Sequence, residues 1–85
     1  MKKLLLTAVF ATLAAPVLAE PACNPGETLK PVWESLKAFE DEGGQVIAFK
    51  INGGGCYEVY GKLNDKKFEI FFDPNTGIEI ERIED

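Results

Sequence analysis

Fourteen carboxylates and no histidine bound the chemistry open to this 85-residue chain. Without imidazole it lacks the commonest general base and the commonest metal ligand. Ser35 is the only serine, set mid-helix between Glu34 and Leu36. Lys37, two residues on, points to another side of such a helix, so no serine–lysine dyad forms and Ser35 reads as a plain helix-surface residue. Glu79 with Glu81, and Glu58 with Glu69 across a hairpin, supply the residue types for paired acid and base work. Such pairs act only in a substrate cleft, which one helix laid on one sheet is not expected to form, so they read as solvated strand faces. Asp73, Asn75 and Glu79 open like a calcium loop, yet Gly77 already stands at loop position 5 and Pro74 follows the first ligand. Asp73 to Gly77 therefore reads as a turn. The expected set of catalytic residues, metal ligands and cofactors is empty.

The two cysteines offer different chemistry. Cys23 and Cys56 form no CxxC motif and have no histidine to share a metal with, so a disulfide is the expected pairing. The compartment supports it. Lys2 and Lys3, the apolar stretch Leu4 to Ala15, and Pro16-Val17-Leu18-Ala19 have the layout of a signal peptide cleaved after Ala19. That predicts a periplasmic or secreted product. The apolar stretch is shorter than the roughly 20 residues a spanning helix needs, so no membrane insertion is expected. Removing Lys2 and Lys3 from nine basic residues leaves seven against 14 acidic ones, which argues against nucleic acid and anionic membranes as partners.

These residues must be positioned by a small domain. Removing 19 of 85 residues leaves 66, enough for a single core that benefits from a covalent staple. Residues 20–28 carry Pro and Gly without periodicity and read as an irregular arm pinned by Cys23. Residues 29–85 read as the domain. Leu29, Val32, Trp33, Leu36 and Phe39 recur at helical spacing, with Pro31 in the first turn, Thr28 as a cap, and Gly43-Gly44 as the stop. From Gln45 the period becomes two. Gln45 to Ile51 places Ile47, Phe49 and Ile51 on one side, and Gly53-Gly54-Gly55 breaks the run. Cys56 to Leu63 alternates Tyr57, Val59 and Leu63 against Glu58, Tyr60 and Lys62. Asn64-Asp65 turns the chain into Lys67 to Phe72, where Phe68, Ile70 and Phe72 face in. Ile78 to Ile83 is the last strand. Every connection has hairpin length, which predicts an α+β fold: one amphipathic helix packed on a four-stranded antiparallel meander.

Three aromatics are candidates for partner binding. Trp33 sits on the apolar helical stripe, where core packing is the first expectation and a partner anchor the second. Tyr60 and Phe71 fall on the strand faces opposite the core residues, where they form either an exposed protein-binding patch, if the helix covers only one side of the sheet, or a second, minor cluster or homodimer contact.

Tyr57-Glu58-Val59-Tyr60, the hairpin to Lys67-Phe68-Glu69-Ile70-Phe71-Phe72, and the ending Asp73-Pro74-Asn75-Thr76-Gly77-Ile78-Glu79-Ile80 resemble a PepSY domain over roughly Leu29 to Glu84. The resemblance implies a non-enzymatic module. PepSY domains occur in propeptides of secreted metallopeptidases and as free-standing exported domains, with restraint of a peptidase the proposed role. A protein partner follows, a peptidase foremost, for a monomer or weak homodimer. The family carries no fixed functional residues, so no site transfers. The alternative reading is a small-ligand or calcium sensor built on the acidic loops Asn64-Asp65 and Asp73 to Gly77.

Overall fold

The computed structural model describes residues 20–85. The expected leader, residues 1–19, lies outside them. The order is one helix followed by four strands: α1 (Val32–Asp41), β1 (Gln45–Ile51), β2 (Tyr57–Leu63), β3 (Lys66–Phe72) and β4 (Glu79–Glu84). All neighbours pair antiparallel in the order β1-β2-β3-β4, the expected meander. Asn64 and Asp65 both adopt positive φ, at 53° and 65°, between paired Leu63 and Lys66. A two-residue turn of this kind carries the twist that β2 and β3 require.

The helix is shorter at its start than the apolar spacing predicts. Pro31 takes the N-cap position with extended backbone and no side-chain cap, so Leu29 and Thr28 precede the helix. Its end follows expectation: Gly43 turns left-handed at φ 97°, and the Gly43 and Gly44 amides donate to the carbonyls of Glu40 and Phe39. The side chain of Phe39 decides which stripe faces the sheet. A Cβ on Gly44 would lie 2.5 Å from the Phe39 ring, and one on Gly61 would strike the same ring. The ring thus lies flat on bare backbone from both sides. With Phe39 fixed inward, Ser35 one turn earlier turns inward too and is buried, while Trp33 turns out and stays 59% exposed. Both placements correct the sequence reading.

The core consists of Phe39, Tyr57, Val59, Ile70 and Phe72, with Val32, Leu36, Val46, Phe49, Leu63 and Phe68 packed around it. Burying a ring such as Phe39 contributes about 1.5–3 kcal/mol. Phe49 meets Tyr57 edge to face at 5.5 Å, and the Tyr57 hydroxyl donates to the Lys30 carbonyl at 2.8 Å, tying the helix entry to the sheet. At the other end Arg82 bridges the layers. It donates to both Glu42 oxygens, at 2.9 and 2.8 Å, and to both Glu79 oxygens, at 2.9 and 2.7 Å, with its guanidinium over Phe68. These bonds hold Glu42 below the usual carboxylate range and Arg82 above its ordinary value.

Two bulges break the alternation. Val46 pairs with Gly61 and Ala48 with Tyr60, so Ile47 is an extra residue and Val46 takes the core-facing place assigned to it. Ile47 is exposed, as is Ile51 at the end of its strand. In β4, Phe72 pairs with Glu79 and Phe71 with Glu81, which makes Ile80 the extra residue. Each bulge inserts one residue and reverses the facing of what lies beyond it.

Candidate functional site

The helix covers the sheet face that carries Val59 and Ile70, and the outer face carries Lys50, Glu58, Tyr60, Glu69 and Phe71. The arm reaches this outer side. Cys23 and Cys56 are joined in the expected disulfide, with Cα atoms 5.1 Å apart. Two asparagines extend the attachment. Asn52 is buried, and its carboxamide oxygen accepts from the Gly54 and Cys56 amides while its nitrogen donates to the Pro21 carbonyl. The Cys23 amide adds a bond to the Gly54 carbonyl at 2.8 Å. Asn75 accepts from the Gly26 amide at 2.7 Å and donates to the Asn24 carbonyl at 2.8 Å. Neither asparagine was singled out as functional from the sequence. An asparagine before a triple glycine is nonetheless a signature of a side chain that bonds the backbone two residues on.

Of the two readings open for Tyr60 and Phe71, an exposed patch does not hold for Phe71, which is fully buried and paired in register with Glu58 two residues from the stapled Cys56. Tyr60 is half-buried, and Trp33 is the one aromatic of the three that stands open. Of the expected partner-binding set, the structure brings Tyr60 and Phe71 to the same face and leaves Trp33 on the helix, on the other side.

The carboxylate pairs fare differently from one another. Glu79 faces the helix side with Arg82, whereas Glu81 pairs with Phe71 on the outer face, so the bulge at Ile80 separates them. Glu58 and Glu69 stand diagonally across β2 and β3 and line a cleft of about 390 Å³ with Lys50, Tyr60 and Asp85. Sequence reasoning assigned them no cleft, because it left out Asp85, which lines the outer face beside them. Burial pushes the Glu58 carboxyl up, offset in part by Lys50 with its Nζ 3.9 Å away. Glu69 is pushed up by burial first and then by the charge of Asp85 and Glu58.

The Asp73 loop behaves as a turn. The Asp73 carboxylate accepts from the Asn75 amide at 2.8 Å, the Gly77 amide closes onto the Asp73 carbonyl at 2.7 Å, and Gly77 has φ 76°. The Asn75 carboxamide is spent on the arm.

A family model described as peptidase propeptide and YPEB domain (PepSY_2) matches residues 3–83. The chain belongs to the PepSY family. No curated protein and no solved structure matches it. PepSY domains are generally propeptide or regulatory modules and typically non-catalytic. Among the described residues no helix is long and apolar enough to cross a membrane. The disulfide of this PepSY domain fits the oxidising compartments, extracellular or periplasmic, in which such domains are commonly found.

Proposed function

We propose that this PepSY domain is an exported, non-enzymatic module, released from a leader at Ala19, that binds and restrains a peptidase or another envelope protein. Membership in a family of peptidase propeptides, over residues 3–83, carries this reading. The architecture is consistent with it. A small two-layer domain locked by a disulfide presents a rigid surface, and rigidity lowers the entropic cost of association. Trp33, 59% exposed on the helix, is the anchor in this reading, since an open tryptophan on a rigid element is a typical hot-spot residue. Tyr60, half-buried on the opposite face, lies away from that anchor. Phe71, sealed inside, takes no part.

The test is binding to the catalytic domain of a secreted metallopeptidase whose own PepSY propeptide has been removed. Immobilised chain should capture the catalytic domain, with Trp33→Ala weakening capture at least tenfold while its melting temperature stays put. Equal capture by both proteins would dismiss Trp33 as the anchor, and no capture by either would dismiss the peptidase.

A further inference from the structure

The outer cleft holds more negative charge than its surroundings balance. Glu20 from the arm, Glu58 from β2 and Glu69 from β3 each place a carboxylate oxygen so that all lie within 4.8 Å of one another. Asp85 lines the same cleft, and Lys50 is the single cationic side chain in its wall. Glu58 is 5% exposed, and its Oε1 has no hydrogen-bond partner. The Lys50 ammonium forms a long ion pair with that oxygen at 3.9 Å, beyond hydrogen-bond reach and from an exposed side chain. A buried carboxylate oxygen with no donor is expensive to keep, and an exposed ammonium at that distance offsets only a small part of the cost.

We propose that this cleft is a binding site for one hard divalent cation, calcium the best match, held by the carboxylates of Glu20, Glu58 and Glu69. Oxygens around one calcium ion sit about 2.3–2.6 Å from it, so two of them are at most about 5 Å apart, which the observed cluster satisfies. The donors are all oxygen, with neither imidazole nor free thiolate among them, a set that selects calcium, magnesium or manganese over zinc or copper. Calcium fits best among these. Three carboxylates from three separate segments give an irregular shell that calcium tolerates and that magnesium, bound to near-ideal octahedral geometry, does not. The site is distinct from the Asp73 turn, where Asp73 Oδ1 and Asn75 Oδ1 accept backbone amides within the fold. Its ligands come from both sides of the disulfide, so the ion would join the first described residue of the arm to the middle of the sheet. The inference stands apart from peptidase binding, and either can fail alone.

The full chain, exported through its own leader, kept oxidised and stripped with a chelator, is titrated with calcium chloride by calorimetry at neutral pH. Saturable heat with a stoichiometry of one is expected, along with a higher melting temperature in calcium than in magnesium at equal ionic strength. Glu58→Gln, which keeps the shape and relieves repulsion, should fold normally and lose at least tenfold in affinity, and Glu69→Gln should do the same. Asp73→Ala should bind as the parent does. Absence of saturable heat at millimolar calcium overturns the site, as does undiminished binding by folded Glu58→Gln or loss of binding in folded Asp73→Ala.

Discussion

Removing the Cys23–Cys56 bridge tests how far the arm belongs to the fold. The bridge closes a loop of sequence separation 33 that contains most of the arm, all of α1 and all of β1. In the chain-entropy description such a closure restricts the unfolded state by about 12.5 cal/mol/K, or about 3.7 kcal/mol at 25 °C. For a domain of this size each kcal/mol moves the melting temperature by roughly 4–8 °C, so the expected drop is about 15–30 °C. The variant is Cys23→Ala/Cys56→Ala, chosen because Cys56 is fully buried and a serine there would add an unpaired hydroxyl. Urea unfolding followed by circular dichroism reads both the midpoint and the slope. The midpoint should fall, and the slope should rise because the uncrosslinked unfolded chain exposes more surface. Oxidised parent treated with a phosphine reductant should reproduce the variant. A loss under 1 kcal/mol in both forms would refute the reasoning, since the Asn52 and Asn75 bonds would then hold the arm unaided.

Further expectations concern the core and the acidic cleft. Ser35→Ala should raise stability by about 1 kcal/mol in thermal unfolding, because the Ser35 hydroxyl is buried with no partner; a destabilised variant would contradict that placement. Gly61→Ala should cost about 3 kcal/mol, since its Cβ would meet the Phe39 ring and lie 2.6 Å from the Gln45 carbonyl. Gly53→Ala, with nothing within 4 Å, serves as the near-neutral control. In chelated buffer the melting temperature should be higher at pH 5 than at pH 7.5. Glu58 and Glu69 are both held above the ordinary 4.5, so the folded state keeps protons that the unfolded chain has released, and stability falls as pH rises through their folded values. Glu42 acts oppositely: its contribution is present above 4.5 and is lost as pH drops through its lowered value. A Glu58→Gln/Glu69→Gln chain should flatten the decline between pH 5 and 7.5, and an unchanged profile would assign it to other groups.

Most of the fold was legible because its signals are local. The period-two runs, the Asn64-Asp65 turn, the left-handed Gly43 and Gly77, and the cysteine count each specify an element or a link without tertiary information. What was misread depends on contacts between distant segments. Leu29, Val32, Trp33, Leu36 and Phe39 define two overlapping stripes, and only the glycine floor under Phe39 selects the one that buries Ser35 and exposes Trp33. The bulge at Ile47 leaves no mark because Ile47 is apolar like Val46 and Ala48, and the one at Ile80 is hidden because Ile78-Glu79-Ile80-Glu81 alternates as a regular strand would. The outer face was read as uncovered since residues 20–28 have no periodicity, yet their carbonyls and amides are the partners of Asn52 and Asn75. The cleft that gathers Glu58 and Glu69 could not be found before Asp85 was placed beside them.

The proposal that this PepSY domain acts by binding is tested most directly by progress curves of a secreted metallopeptidase cleaving a fluorogenic peptide in its presence. The expected result is a rate that falls with added chain and saturates, with the chain recovered at unchanged mass. Undiminished cleavage, or a chain consumed as a substrate without slowing the reporter, would contradict it.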